Sequence, residues 1–131
     1  MSAERIEVVR QVLDAVGRRD VQAILENVDA DVELQPLLSV WRQTYRGHDG
    51  IEEWSRGVGE LWESFSVEPE DFRDIGEGSL VVRLRWRGRA KGVSTELDGP
   101  GAAVVRFRDD KLLSVDIHLD EHSALRSIGA S

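Results

Sequence analysis

The chain reads as an α+β domain in which helices come first and a half-open sheet follows, with a pocket between them. Three observations predict this. Residues 4–28 carry apolar side chains at helical spacing, and residues 80–119 alternate apolar and polar side chains with the period of strands. Between them, Tyr45-Arg46-Gly47-His48-Asp49-Gly50-Ile51 closes a loop and opens a third helix in one step.

The first helix is expected over residues 4–16, with Ile6, Val9, Leu13 and Val16 on one face and Gly17 stopping it. Asp20 caps a short second helix carrying Val21, Ile24, Leu25 and Val28. Asp29-Ala30-Asp31 then turns into a strand, Val32-Glu33-Leu34-Gln35, which Pro36 ends or pushes to an edge. Residues 37–48 form a loop containing Trp41 and Tyr45, and a loop that long is functional or packed over something. The third helix is expected over residues 50–64. Asp49 offers its carboxylate as the cap while Glu52 reaches back, as in a capping box. Ile51, Trp54, Val58, Leu61, Trp62 and Phe65 give that helix one apolar, aromatic face.

A strand over residues 67–74 favours an edge position because of Pro69, and Gly76-Glu77-Gly78 is a turn. In the next strand Val82, Leu84 and Trp86 alternate with Arg83, Arg85 and Arg87. Residues 93–97 continue extended until Asp98-Gly99-Pro100-Gly101 breaks or bulges the chain. Ala103, Val105 and Phe107 then alternate with Val104, Arg106 and Arg108, and Arg108-Asp109-Asp110-Lys111 turns the hairpin. The last strand sets Leu113, Val115, Ile117 and Leu119 against Ser114, Asp116, His118 and Asp120, and a short terminal helix holds Ala124 and Leu125. The helices must cover the apolar face, so Val82, Leu84, Trp86, Val105, Phe107, Val115 and Ile117 are expected inside. On the other face the arginines can pair with Asp116, His118 and Asp120, each pair contributing about 0.2–1 kcal/mol. That face is solvated or forms a dimer.

The 131 residues make one domain, large enough to bury a core without staples. No cysteine is present, which removes disulfides and thiolate chemistry. The first residues lack an apolar signal core and no run approaches membrane-spanning length, so a cytoplasmic protein with no membrane partner is expected. A net charge of −8 repels phosphate backbones, and the clustered arginines alternate along a strand, so no nucleic-acid partner is expected. His48, His118 and His122 lack metal-ligand spacing, so neither a metal nor a cofactor is expected.

Taken in order, several short motifs carry a resemblance. They are Gly17-Arg18-Arg19-Asp20, Asp31-Val32-Glu33, the segment from Tyr45 to Ile51, Val67-Glu68-Pro69-Glu70-Asp71-Phe72-Arg73-Asp74 and Phe107-Arg108-Asp109-Asp110-Lys111, followed by Asp120, Ala124-Leu125 and Gly129. Over nearly its whole length the chain resembles the SnoaL-like branch of the nuclear transport factor 2-like superfamily, which includes polyketide cyclases. The resemblance implies a cone: a strongly curved, mixed or antiparallel sheet wrapped around a long helix, with N-terminal helices closing an apolar cavity. It also implies a homodimer through the sheet face.

The catalytic sets of better-known relatives do not carry over. Where the steroid isomerases of this superfamily place a carboxylate base before a proline, this chain has Gln35, which cannot take a proton. Their two oxyanion donors fall near Val12 and Ala103. The epoxide hydrolases need an inward carboxylate where Ile117 stands, and the acids expected of the cyclases, Asp116, His118 and Asp120, alternate onto the outer face unless a bulge reverses it.

Among what remains, Glu33 shares a strand face with Gln35, and the resemblance turns that face toward the cavity. A carboxylate enclosed by apolar aromatics holds its proton toward neutrality and can act as acid or base. The plainer reading is that Glu33 is held by a nearby arginine or tyrosine. Tyr45 either projects its hydroxyl into the pocket mouth beside Gln35 or packs the loop. Trp41, Trp54, Trp62 and Trp86 exceed the needs of this core, and two of them lining one cavity suit a flat, cyclic, apolar ligand. His118 joins the ligand-binding candidates through its carboxylate neighbours. The expected chemistry is cofactor-independent isomerisation, cyclisation or dehydration, and the alternative is a non-catalytic dimeric interaction module whose aromatics fill its own cavity.

Overall fold

The computed structural model describes residues 3–36 and 44–129. Helix α1, Ala3–Arg18, runs on through Gly17 and closes at Arg19, which takes the left-handed conformation at φ 58°. Arg19 N–H donates to the Val16 carbonyl at 3.2 Å and Asp20 N–H to that of Ala15 at 2.9 Å, a pairing that ends a helix when one residue turns left-handed. Glycine usually holds that place; here an arginine does, although Gly17 lies two residues away. Asp20 then caps α2, Val21–Glu26, by accepting from Ala23 N–H at 3.2 Å, as expected.

Strand β1 is Val28–Gln35, so Asp29-Ala30-Asp31 is extended rather than a turn. Arg108 explains this, since it reaches both Asp29 and Asp31, at 3.4 and 3.0 Å, and fastens β1 to the last hairpin. Strand β2 is only Tyr45–Arg46, and α3, Gly47–Leu61, follows it directly. Gly47 makes that possible with φ +69°. The helix therefore starts earlier than expected, and Asp49 lies inside its first turn. Arg46 holds the cap position without a side-chain bond, and the Asp49–Glu52 capping box does not form. Asp49 still complements the helix dipole. At the other end Trp62 is already extended and opens β3, Trp62–Gly76. Leu61 consequently stands in solvent, 68 % exposed, and Trp62 and Phe65 belong to the sheet instead of to the helix.

Strands β4, Ser79–Ala90, β5, Leu97–Arg108, and β6, Lys111–His118, complete a six-stranded sheet in the order β2-β1-β6-β5-β4-β3. β1 is parallel to β6 and the other neighbours are antiparallel, which makes the sheet mixed. Pro69 lies on β3, an edge strand, as expected. The sheet lacks the strong curl that the resemblance implied. The central β4–β5 ladder pairs without a register shift, while β1–β6, β3–β4 and β5–β6 each carry irregularities. Asp98-Gly99-Pro100-Gly101, read as a break, is continuous strand. Pro100 is tolerated there because β6 ends at His118 opposite Ala102, so one side of β5 is already unpaired.

Leu80, Val82, Leu84 and Val105 on the inner face pack with Val9 of α1 and Ile51 of α3, and Phe107, Val115 and Ile117 join them, as the alternation predicts. Trp86, also expected inside, is only half-buried and stands apart from this core. Arg5 and Arg10 lie over the rings of Phe107 and Phe72 at 5.2 and 5.0 Å, holding α1 down on the sheet. The outer face is not polar throughout. Val81, Ala102 and Val104 are buried there beneath α4, Glu121–Ser127, which contributes Ala124 and Leu125. Asp120 caps α4 by accepting from Ser123 N–H at 2.8 Å. Among the described residues no helix is long and apolar enough to cross a membrane.

Candidate functional site

The strand registers sort the sequence candidates into two groups. Glu33 stands opposite Ser114 and Gln35 opposite Asp116, which puts both on the outer face, in line with His118. Val32 and Leu34 are the buried residues of β1. The face expected to look into the cavity therefore looks away from it. A strand's side chains alternate strictly, and once Val32 and Leu34 enter the core their neighbours cannot. The Glu33 side chain is 51 % exposed and pairs with Arg46 at 3.7 Å. His118 is better enclosed, at 19 %, and its Nε2 lies 3.2 Å from Asp116 Oδ2. Arg85 and Asp116 stay outside the core, as the face assignment requires.

The aromatic candidates lie on the inner side but do not converge. Tyr45 stands opposite Leu34 and packs half-buried against the core. Its backbone crosses α3 so closely that a Cβ on Gly50 would sit 2.9 Å from the Tyr45 carbonyl carbon. Trp62 and Trp86 meet edge to face at 6.4 Å, with Phe65 5.7 Å from Trp62. Their rings crowd glycines, Trp62 against Gly88 and Trp86 against Gly99, and so fill their own end of the sheet. Trp54 is separate, on α3 and half-buried against the core. Trp41 lies outside the described residues.

Open space gathers where the three N-terminal helices meet. A recess of about 300 Å³ lies between the end of α1, α2 and α3, with Val16, Val21, Ile24, Trp54 and Val58 as its apolar wall. Arg19, Glu52, Ser55, Arg56 and Gly59 supply the polar and bare parts of its lining. The Ser55 hydroxyl is buried and has no hydrogen-bond partner. Gly59 presents bare backbone, since a Cβ there would meet nothing within 4 Å. Arg19 is fixed in place by donating from Nη2 to the carbonyls of Trp62 and Glu63, at 2.5 and 2.6 Å. Its neighbour Arg18 bridges Asp14 and Asp20 at 2.8 and 3.1 Å. The hydrogen bond to Asp14, seconded by that to Asp20, raises the Arg18 pKa further and keeps the turn that presents Arg19 closed. On the far side of Arg19 a second recess, of about 320 Å³, is lined by Ser64, Ser66, Arg87 and Glu96 among others.

Sequence reading placed Trp54 correctly on α3 but missed Arg19, Ser55 and Arg56, and it read Glu52 as a cap. One signal was available. Gly57 and Gly59 weaken a half-buried stretch of helix by about 0.8–1 kcal/mol each relative to alanine, which is unusual without a packing reason. Among the described residues no group of three or more His, Asp and Glu side chains can hold a metal ion.

Residues 9–115 match the family model of the SnoaL-like domain. The chain belongs to the SnoaL-like family. This SnoaL-like chain is similar in structure to a nuclear transport factor 2-like protein of unknown function from Burkholderia pseudomallei, at 24 % identity and a TM-score of 0.79, covering 99 % of this chain and 100 % of that one. It is also similar to TerC co-crystallised with polyporic acid, at 20 % identity and a TM-score of 0.79, covering 98 % and 100 %. A third is a protein with a ketosteroid isomerase-like fold from Catenulispora acidiphila, in complex with trimethylamine, at 19 % identity and a TM-score of 0.76, covering 95 % and 94 %. At these identities the likeness shows the fold. No curated protein matches the chain.

Proposed function

We propose that this SnoaL-like protein binds a small, ring-bearing apolar molecule in the recess between α1, α2 and α3. The observation that carries the reading is the apolar wall around Trp54, in a space of about 300 Å³. That volume is at the lower end of the roughly 300–1,000 Å³ typical of ligand pockets. Structural relatives bound to polyporic acid and to trimethylamine support a small-molecule role for the fold. The reading extends to cofactor-independent isomerisation, cyclisation or dehydration. The proton acceptor is then Glu52, the carboxylate among the lining residues. Glu33, on the outer face, is not part of this site.

A thermal-shift series with 2-naphthol, read also by tryptophan fluorescence, tests it. A ligand at one hundred times its Kd adds about 2.7 kcal/mol, on the order of ten degrees for a domain of this size. Val58→Trp fills the recess and is expected to abolish the shift. A shift that survives Val58→Trp places the ligand elsewhere and defeats the reading.

A second reading, a non-catalytic homodimer through the outer sheet face, draws on the ion pairs there, Arg85–Asp98 at 2.7 Å and Arg83–Glu70 at 3.7 Å. Sedimentation equilibrium separates it from the first: a dimer that falls apart on Arg85→Glu supports it, and a monomer at all concentrations removes it.

A further inference from the structure

The recess has a chemical asymmetry that narrows its ligand. This inference rests on the binding role proposed above. The apolar wall of Trp54, Val58 and Ile24 accepts a ring, but the rim carries two guanidinium groups, Arg19 and Arg56, against one carboxylate, Glu52. Glu52 and Arg56 are spaced i, i+4 on α3, in the order that favours an ion pair on a helix. Among the described residues that pair does not form, and Arg56 has no ion-pair or hydrogen-bond partner. Arg19 is anchored through Nη2 alone, which leaves its other nitrogens uncommitted. Deeper in, the Ser55 hydroxyl is buried without a partner. A buried hydroxyl left unpaired is costly, and a ligand oxygen or N–H removes that cost.

We infer that the recess takes a mono- or bicyclic carboxylic acid, with its ring against Trp54, its carboxylate on Arg56 and Arg19, and a polar ring substituent on Ser55. A carboxylate matches the fork of a guanidinium, which can give two parallel bonds to it. The size fits as well, since a space of about 300 Å³ admits one or two fused rings with a short acid group. The protein's net charge of −8 opposes an anion at long range. At physiological ionic strength charges beyond about 8 Å are largely screened, so the two arginines at the rim decide the local preference. Gly59 completes the argument: its bare backbone keeps the mouth wide at a position where alanine would make a better helix.

Isothermal titration with 2-naphthoic acid and its neutral isostere 2-naphthamide tests this at pH 7. The acid is expected to bind at least tenfold more tightly than the amide. Arg56→Gln, a change at an exposed position, is expected to weaken the acid at least tenfold and the amide by much less, so that the preference for the acid disappears. Gly59→Ala is expected to raise the melting temperature of the free protein while weakening the acid severalfold. A residue with only a structural role would not produce those opposite signs. If acid and amide bind equally and both are blocked by Val58→Trp, the anion preference is overturned while the ring-binding role stands. If neither binds, both are overturned.

Discussion

Along β4 neighbouring residues meet opposite surroundings. Val82 and Leu84 face α1 and α3 and lie in the core, whereas Arg83 and Arg85 face outward and pair with Glu70 and Asp98. The two faces are stabilised by different physics. The inner one removes apolar surface from water, and the outer one places ion pairs where solvent screens them, except beneath α4. One face is therefore intolerant of change and the other permissive. The largest expected effect follows from that contrast. Leu84→Ala, at 5 % exposure, should cost about 2–5 kcal/mol. Arg85→Ala next to it should cost no more than about 1 kcal/mol, and less in high salt. Urea unfolding midpoints with unchanged slopes measure both. Similar losses at the two positions would mean that the outer face is covered in solution, as a dimer through that face requires.

The same contrast decided what could be read from the sequence. Alternation on β4, β5 and β6 was legible because one face is buried and a one-residue slip would reverse every side chain. Helix α2 was legible for the same local reason, an aspartate cap before an apolar run. Glu33 was not. Its neighbours Val32 and Leu34 fix its direction, but they were outweighed by an expectation about which face of β1 meets the cavity. The start of α3 was misplaced because Asp49 and Glu52 satisfy a capping pattern, whereas a left-handed Gly47 and the close crossing of Tyr45 over Gly50 set the true start. Arg19, Ser55 and Arg56 come together only through the packing of α1, α2 and α3. No spacing along the chain joins Arg19 to Ser55.

A smaller effect tests the inner face against itself. Gly99 and Gly101 both lie on that side of β5, two residues apart, yet only one is crowded. A Cβ on Gly99 would fall 3.0 Å from Trp86 Nε1, whereas one on Gly101 would meet the His118 carbonyl oxygen at 3.5 Å, an ordinary contact. Gly99→Ala should therefore cost about 1–3 kcal/mol by displacing Trp86, with a shift in tryptophan emission. Gly101→Ala should stay within about 0.5 kcal/mol. If the two were alike, the ring of Trp86 would not lie on Gly99 in solution, and the aromatic end of the sheet would be free to receive a ligand.

The smallest effect is confined to the outer face, where α4 covers Val81, Ala102 and Val104. Asp120 caps that helix, and the hydrogen bond from Ser123 N–H, followed by that from the Ser123 side chain, holds its pKa below the ordinary carboxylate value. Burial opposes this shift, and the positive charges that His122 and His118 can carry add to it. A depressed pKa in the folded state means that the charged cap stabilises α4. The contribution is complete above the ordinary carboxylate pKa and is lost as pH falls through the depressed one. Amide-exchange protection at Ala124 and Leu125, taken relative to the intrinsic rate at each pH, should therefore fall in acid before that of the β4 and β5 amides. Asp120→Asn separates this cause from general acid unfolding, because asparagine caps a helix without titrating. The variant should hold α4 in place at neutral pH and flatten its acid response. An acid response that persists unchanged in Asp120→Asn would locate the titrating group among the other carboxylates of the outer face. In that event the detachment of α4 would report on the ion pairs of the sheet, and the outer face would be a more cooperative unit than its exposed charges imply.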